Sequence, residues 1–402
     1  MRLTGGFSYC CPVKIKCGTR ALAQLPEELI ACNAKAPLIL TSREQVDDIR
    51  LRAVVDAFGA SGLTIGIYDR LSKHPTADLM PVLARMYRDG GCDSLVAVGG
   101  GSVANTAKCL NLIVSSDGQG ELAVVNKNTN DPGPLRPLLL VATPGGDGNE
   151  ISGYAVHGDR RTVFPGLTPA VVFIDPVFMD GNERELVNGA LIGLVHAVEA
   201  LLDTAFLPMR HAFAHTAIGL IMHHLPLALR KIEPQKNLCA VVNGQVAAGC
   251  AYHASSPGPC HTLAAHLGET NDLPAGLSMA IILPHLLSEA GAASPERVGR
   301  LLYPMAGQET SAMTADALRV PRVVALVWEF FDALNGELAV NIPTTLTDAG
   351  MTDKQIDDIR ERVAGQSGDE TLARIVDRAR KGVAMIDDRG EYGKIVPGVT
   401  PF

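Results

Sequence analysis

The sequence predicts an α/β domain built on a parallel sheet, followed by an all-helical domain. In the first 180 residues, apolar runs of strand length alternate with longer segments of helical spacing. This alternation is typical of a parallel sheet with covered faces and right-handed crossovers. After Asp175-Pro176 the apolar residues recur with helical period as far as Arg378. We therefore expect an α/β domain at residues 1–180, a helical domain at 181–386 and a C-terminal tail at 387–402.

The apolar pattern predicts individual elements in the first domain. Strands are expected at Pro37–Thr41, Thr64–Tyr68, Ser94–Val98, Leu138–Ala142 and Ala170–Ile174, and helices at Glu44–Phe58 and Ala77–Arg88. The segment 117–135 is rich in Gly, Asn and Asp, so we expect a loop there. In the helical domain, proline predicts breaks at Pro208, 256–259, Pro274 and Pro284.

The composition excludes several classes of protein. Of the 402 residues 47% are hydrophobic and 19% are charged, and the net charge is −8. Such a chain buries a core, and it lacks the basic surface that a nucleic-acid partner requires. The apolar stretch Gly189–Met209 contains three ionisable side chains that are costly in a bilayer, so we expect a buried helix and no membrane partner. Nine cysteines without a C-x-x-C pair favour a reducing cytoplasm.

Two glycine-rich turns follow predicted strands and are the clearest signal of ligand binding. The first turn follows Ser94–Val98 and consists of Gly99, Gly100, Gly101 and Ser102. The second, at 143–151, follows the next strand and includes Thr143, Gly146 and Asp147. Glycine lets a ligand approach the backbone, Ser102 is expected to cap the next helix, and a helix N-terminus favours phosphate. Both turns are expected at one ligand-binding edge of the sheet, although a plain strand-to-helix turn stays an alternative for the first.

Three histidines of the second half are candidates for proton transfer or metal binding. His196 lies one helical turn before Glu199, and His261 and His266 flank a short apolar stretch. A histidine near a domain junction can serve either purpose, but a helical histidine without a partner at ligand spacing is also a common core residue. Both interpretations stay open for these positions.

The glycine-rich and histidine motifs of this sequence occur in the same order as the motifs of a known family. Gly99–Ser102 with Thr106–Lys108 matches G-G-G-S-x-x-D-x-A-K, with Asn105 in place of the Asp, and 143–151 matches T-T-A-G-T-G-S-E-V in altered form. Val195–Glu199 matches T-H-A-I-E, and Cys260-His261 and 277–285 match H-A-M-A-H and G-L-A-N-A-I-L-L-P-H. Together they resemble the iron-containing (group III) alcohol dehydrogenase family. The resemblance implies a dehydroquinate synthase-like architecture, with a dinucleotide-binding α/β domain, a helical domain and an active site between them.

The resemblance implies a metal site that this sequence retains only in part. The family holds a divalent ion with one Asp and three His, and His196 and His261 match two of these ligands. Ile192 stands at the position of the Asp and Ala275 at that of the third His. Sites with an open position for substrate usually keep three protein ligands, so we expect no tightly held iron or zinc. Replacement ligands remain an alternative, from Asp272, Glu269 or His266.

Three residues at the end of the first predicted strand bear on the choice of cofactor. They are Thr41, Ser42 and Arg43. In family members that prefer NAD, an Asp follows the Thr and can bond the ribose 2′-hydroxyl, whereas Ser42 beside Arg43 would tolerate a 2′-phosphate. The sequence therefore predicts NAD or NADP and slightly favours NADP.

These observations predict an oxidoreductase that interconverts an alcohol and an aldehyde or ketone by hydride transfer. By resemblance to the metal-independent maleylacetate reductases, His196 and His261, with His266 as a third candidate, are expected to act as acid and base. The alternative is a degenerate family member that binds a nucleotide for regulation or assembly. A metal-dependent lyase of the dehydroquinate synthase type is a weaker hypothesis, because it also needs a metal site. The resemblance further implies a homodimer or larger homo-oligomer and a small-molecule substrate.

Overall fold

The structure, a computed structural model, describes residues 9, 11, 13–44, 46–72, 78–116, 134–157, 160–179, 183–204, 207–252, 258–271, 273–337, 342–367, 370–381, 385–386 and 392–393. The strands are β1 (Lys14–Cys17), β2 (Pro37–Thr41), β3 (Gly66–Tyr68), β4 (Ser94–Val98), β5 (Leu138–Val141), β6 (Tyr154–His157), β7 (Arg160–Val163), β8 (Val171–Ile174), β9 (Met385–Ile386) and β10 (Tyr392–Gly393). Six of them form a parallel sheet in the order β1-β8-β5-β4-β2-β3. The remaining strands form two antiparallel pairs, β6 with β7 and β9 with β10.

Helices accompany the sheet and then build the second half of the described chain. The first four are α1 (Leu25–Ala31), α2 (Asp48–Ala57), α3 (Leu79–Asp89) and α4 (Gly101–Ser115). The others are α5 (Glu183–Leu202), α6 (Pro208–Leu229), α7 (Pro234–Tyr252), α8 (Pro259–Thr270), α9 (Ala275–Ala293), α10 (Pro295–Gly299), α11 (Leu302–Met313), α12 (Asp316–Glu337), α13 (Asp353–Ser367) and α14 (Thr371–Lys381). The predicted α/β class with a helical second half is confirmed.

The sheet matches the predicted strands closely because its central strands are buried along their whole length. β2, β4, β5 and β8 have no exposed residue, and a strand covered on both faces is a continuous apolar run. The sequence missed β1, whose residues are mostly exposed and carry no such run. It also started α2 too early, because the Asp47 side chain accepts a hydrogen bond from Arg50 N at 2.8 Å and caps the helix there. The predicted loop at 117–135 lies largely outside the described residues.

The break predicted at Pro284 is wrong. Pro284 lies inside α9, which continues from Ala275 to Ala293. Most of α9 is buried, and packing against α5 and α8 outweighs the single hydrogen bond that the proline removes. The other predicted breaks coincide with helix boundaries at Pro208, Pro259 and Ala275.

Helix α7 connects the two halves. Its residues Val242, Val246 and Cys250 belong to the apolar core around the sheet, whereas Val241, Ala248 and Ala251 belong to the core of the helical half. One helix therefore contributes to both cores, and the edge of the sheet that carries the glycine-rich turns faces it.

Three helices of the described chain are long and apolar enough to cross a membrane by length and composition alone, namely α5, α6 and α9. The apolar windows of α5 and α9 are 83% and 67% buried within the protein, and that of α6 is 39% buried. Internal packing therefore accounts for the apolar character of α5 and α9.

Candidate active site

The two glycine-rich turns lie directly against each other at the carboxyl ends of β4 and β5, as the sequence predicted. A Cβ atom on Gly100 would lie 2.8 Å from the carbonyl oxygen of Gly145, and Gly99 has a φ of +154°. Neither position therefore accepts a side chain without a shift of the backbone. This contact explains why both turns carry glycine whether or not a ligand is bound.

The structure changes the role predicted for Ser102 as a helix cap. α4 begins at Gly101 with Gly100 as its N-cap residue, so Ser102 is already inside the first turn. Its carbonyl oxygen accepts a hydrogen bond from Thr106 Oγ1 at 2.9 Å. The first four N–H groups of a helix have no partner within the helix. At α4 neither Gly100 nor Gly101 places a side chain beside them.

The carboxyl group of Asp147 lies at this N-terminus. A Cβ atom on Gly101 would be 2.5 Å from Asp147 Oδ2, and Asp147 Oδ1 accepts a hydrogen bond from Asn149 N at 2.9 Å. Burial raises the pKa of Asp147, while the hydrogen bond and the charges of Lys108 and His261 act in the opposite direction. An acid therefore stands where the sequence predicted a cofactor phosphate, and its protonation state bears on phosphate binding.

Lys108 is a completely buried cation that the sequence analysis did not select as a site residue. Its Nζ lies within hydrogen-bond distance of four oxygen atoms of two residues, Asn149 O and Oδ1 and Ser152 O and Oγ, at 2.5 to 2.8 Å, and shares its N–H groups among them. Burial lowers the pKa of Lys108 to about 7, against the opposing charges of Glu150 and Asp147. Lys108 thereby fixes the second glycine-rich turn to α4, and its place in the G-G-G-S-x-x-D-x-A-K motif was the available signal.

Glu150 is a second buried acid beside this lysine. Neither of its carboxyl oxygens has a hydrogen-bond partner among the described residues, and any Cβ on Gly146 would collide with the carboxyl group. Burial, followed by the charge of Asp147, raises the pKa of Glu150 to about 7. Two acids and one lysine thus share a buried cluster, which cannot carry every charge at neutral pH without a large desolvation cost.

His196 and His261 are in contact, which the sequence did not determine. His196 Nε2 lies 3.4 Å from His261 Nδ1, and the His196 ring stacks on Tyr252 with centroids 4.0 Å apart and an interplanar angle of 10°. Tyr252 ends α7 and belongs to no motif, so no sequence signal pointed to it. α5, α7 and α8 therefore each bring one ring to this place.

Glu199 holds the start of α8, and with it His261. Glu199 Oε1 accepts a hydrogen bond from Cys260 N at 2.6 Å, and the backbone N–H groups of Gly258 and His261 also favour its ionised form. Burial outweighs these bonds and raises the pKa of Glu199 to about 7. Gly258 has no room for a Cβ beside this carboxyl group. Glu199 is therefore a positioning residue that connects α5 to the helix carrying His261.

A small cavity lies between His196 and the second glycine-rich turn. It is lined by Asp147, Gly148, Ser152, Tyr154, His196, Gly249 and Tyr252. Gly148 and Gly249 lie back to back, since a Cβ on Gly249 would be 2.6 Å from Gly148 O. The cavity thus brings groups from α5 and α7 beside the turn at 143–151.

His266 is directed elsewhere. It lies five positions beyond His261 on α8, about 140° around a helix that turns by about 100° per residue. Its Nδ1 is 3.9 Å from a carboxyl oxygen of Glu269. His261 and His266 therefore do not share a helix face.

The three residues at the end of β2 have partners of their own. Thr41 Oγ1 donates to Val98 O at 2.8 Å, and Ser42 is buried and accepts a hydrogen bond from Glu44 N at 3.3 Å. Arg43 forms an ion pair with Asp69, with 2.6 Å between Nη2 and Oδ2. The guanidinium that was expected to meet a 2′-phosphate thus already has a carboxylate partner.

The donor set does not fit the family's metal ion. His196 and His261 supply two nitrogens, whereas Ile192 is an apolar core residue and Ala275 is exposed. Among the described residues, no three His, Cys, Asp or Glu side chains are grouped so as to hold an ion. The alternative ligand Asp272 lies outside the described residues.

Comparison with known proteins agrees with the motifs. The family model for iron-containing alcohol dehydrogenase matches residues 12–176, and that for the Fe-containing alcohol dehydrogenase family, C-terminal, matches residues 187–376. The NAD-dependent methanol dehydrogenase of Bacillus methanolicus is 26% identical, over 77% of this chain and 82% of that protein. The 1,3-propanediol dehydrogenase of Klebsiella pneumoniae is 25% identical, over 86% and 89%.

A solved structure of a 1,3-propanediol oxidoreductase has the same fold. It aligns with a TM-score of 0.82 at 22% identity and covers 93% of this chain and 100% of the other. The motifs, the fold and the two family matches agree along the chain. It therefore belongs to the iron-containing alcohol dehydrogenase family, a family of oxidoreductases that interconvert alcohols and aldehydes.

Proposed function

We propose that this oxidoreductase works without a catalytic metal, and that His196 and His261 move the proton that accompanies hydride transfer. The observation that carries the proposal is the contact between the two imidazoles, 3.4 Å from Nε2 to Nδ1, with His196 on a cavity that the second glycine-rich turn also lines. Apolar Ile192 and Ala275, at two of the family's ligand positions, support it.

The glycine-rich turns fit a nicotinamide dinucleotide. Gly99, Gly100 and Gly101 place no side chain of their own at the N-terminus of α4, where the Asp147 carboxyl group lies. A helix N-terminus stabilises a pyrophosphate through its N–H groups and its dipole. Thr143 and Gly146 border the same edge. When bound, the cofactor supplies or accepts the hydride.

The imidazole pair supplies the proton in this proposal. In the reducing direction, an imidazolium of the pair donates a proton to the substrate oxygen; in the oxidising direction, a neutral imidazole accepts the hydroxyl proton. The second ring can share that proton across the 3.4 Å contact. Stacking on Tyr252 positions the His196 ring, and the hydrogen bond of Glu199 to the start of α8 positions the helix that carries His261.

Cofactor titration with a substrate panel tests this proposal. NADH and NADPH are titrated by fluorescence, and aldehydes and oxo acids are assayed with each cofactor. Saturable binding with turnover is expected. Tight binding without turnover on any substrate would instead favour the degenerate, nucleotide-binding alternative, and absence of binding would contradict both.

Metal content tests the metal-independent part separately. Protein prepared without chelator is analysed by mass spectrometry for iron and zinc and is assayed after EDTA treatment; substoichiometric metal and unchanged turnover are expected. The double variant Ile192→Asp with Ala275→His restores the family's donor set and is expected to gain stoichiometric metal. Stoichiometric metal in the unmodified protein, lost together with turnover on chelation, would overturn the proposal.

The same proposal includes the organisation of the protein. We assign residues 1–180 to cofactor binding, 181–386 to the substrate side and 387–402 to a tail, and we expect a homodimer or larger homo-oligomer in the cytoplasm with NAD or NADP as cofactor. Light scattering after size exclusion measures the oligomer, and cell fractionation measures the location.

A further inference from the structure

A pair of thiols lies outside the reacting groups, where the first described residues meet α7. Cys11 precedes β1 and Cys250 lies in the last turn of α7. Their Sγ atoms are 3.7 Å apart, and both are free thiols. Tyr9 OH donates to the carbonyl oxygen of Cys250 at 3.1 Å, and its ring stacks on Phe213 with centroids 5.9 Å apart. These contacts hold Tyr9 and Cys11 against α6 and α7.

The two thiols differ in exposure and in pKa, so that one can be oxidised first and the other can react afterwards. Cys11 is partly exposed, whereas only 1% of Cys250 is exposed. The hydrogen bond from Cys250 lowers the pKa of Cys11 to about 6, and the same contact with burial raises that of Cys250. The thiolate is the nucleophile of cysteine chemistry, so a reactive, accessible sulfur lies beside a protected thiol.

We infer that Cys11 and Cys250 form a reversible disulfide when the protein meets a peroxide. The Cys11 thiolate attacks one oxygen of hydrogen peroxide, the O–O bond breaks, and Cys11 sulfenic acid and hydroxide form. The Cys250 thiol then attacks the sulfenic sulfur, the S–O bond breaks, and water leaves with the thiol proton. Both sulfurs are oxidised and the peroxide is reduced to hydroxide and water.

The bond needs only a small movement of the two side chains. The sulfur atoms must approach from 3.7 Å to a bonded distance of about 2.0 Å. Cys11 lies before β1 and belongs to no helix or strand, so rotation of the two side chains can supply the approach. The product ties the start of the chain to the helix whose Gly249 lines the cavity.

Peptide mapping after peroxide treatment tests this inference. The folded protein receives hydrogen peroxide, remaining thiols are blocked with N-ethylmaleimide, and non-reduced peptides are analysed by mass spectrometry. We expect a pair of peptides joined by a disulfide between Cys11 and Cys250, which dithiothreitol separates. The same pair is expected in the Cys10→Ser variant, in which the neighbouring cysteine cannot take part. The rate is expected to rise as the pH passes through the range in which the Cys11 thiolate forms.

Two variants provide controls. Cys11→Ser should leave Cys250 as a free thiol after peroxide, whereas Cys239→Ser, on the same helix, should leave the joined pair unchanged. Oxidation of Cys11 to sulfinic acid with Cys250 still free, or joining of Cys11 to Cys10 or Cys239, would overturn the inference. Because Cys11 is not a core residue, Cys11→Ser keeps the test valid even if a variant at Cys250 fails to fold.

Discussion

The edge of the sheet and the histidine side of the cavity resemble the family to different degrees. At the edge, Gly100 and Gly101 keep the motif because a Cβ at either would collide with the neighbouring turn, and Gly146 keeps it because a Cβ there would collide with the Glu150 carboxyl group of its own turn. At the histidine side, Ile192 and Ala275 depart from it, and an apolar side chain fits where the family has a ligand. Glycine here is required by packing, whereas a metal ligand is required only by its metal. The fold therefore does not depend on the residue types at the ligand positions.

Loss of His261 should cause the largest effect. His261→Ala is expected to lower kcat by about 100-fold to 10,000-fold, because general acid–base catalysis contributes that much. The dinucleotide Kd should stay within about twofold, since a proton-transfer group does not hold the pyrophosphate. Steady-state kinetics and fluorescence titration measure the two quantities.

His223→Ala is the matched control for that variant. His223 is an exposed helical histidine of α6, and its replacement should leave kcat unchanged. An equal loss of dinucleotide binding and kcat in His261→Ala would show that His261 acts through the fold.

Packing of the glycine-rich turns should control stability. In Gly148→Ala, the added Cβ would lie 2.9 Å from Gly249 Cα on a residue with a φ of +86°. We expect the free energy of unfolding to fall by about 3 kcal/mol, from overpacking together with the left-handed backbone. Urea denaturation measures it, with Gly268→Ala, which has open space around it, as a control that should not destabilise.

Protonation of Asp147 should strengthen dinucleotide binding. Burial raises its pKa, and the neutral carboxyl group no longer repels a pyrophosphate at the α4 N-terminus. As the pH falls, Glu150, whose pKa is raised to about 7, loses its negative charge, and Lys108, whose pKa is lowered to about 7, gains its positive charge. The affinity for the dinucleotide should therefore rise by about tenfold toward acid pH. Removing about 1 to 2 kcal/mol of electrostatic repulsion produces a change of that size.

Asp147→Asn should bind the dinucleotide more tightly at neutral pH and with a flatter pH profile. Isothermal titration calorimetry across pH gives both quantities, and Asp56→Asn on the surface of α2 is the control. Weaker binding by Asp147→Asn at every pH would show instead that the carboxylate itself holds the cofactor.

The smallest expected effect concerns cofactor choice. Asp69→Ala removes the carboxylate partner of Arg43 and frees the guanidinium for a 2′-phosphate. The ratio of NADPH to NADH affinity should rise only severalfold, because solvent screens an exposed charge pair. Adding Arg43→Ala should cancel the gain, and an unchanged ratio in Asp69→Ala would mean that Arg43 lies away from the ribose.

How much the sequence predicted depends on the range of the interaction. The buried strands β2 and β4 were predicted to the residue because a continuous apolar run is a local property. The sequence did not predict that α9 continues through Pro284, because burial of the helix against distant elements offsets the lost hydrogen bond.

The same distinction applies to the site. The glycine motifs and the missing ligand at Ile192 were visible along the chain. Three contacts could not be read from the sequence, because each joins residues far apart along the chain. They are the Tyr252 ring on His196, the Asp147 carboxyl group at the start of α4, and the ion pair of Arg43 with Asp69.

The sequence by itself determined the family, the order of the two halves and the absence of a full ligand set at the family's positions. Those features are properties of residue types in a fixed order. Only the tertiary structure decided that His196 meets His261, that Lys108 is buried among oxygen acceptors and that Cys11 faces Cys250. These pairs depend on how α4, α5, α7 and α8 pack, and packing sets the distances and the burial on which proton transfer and thiol chemistry depend.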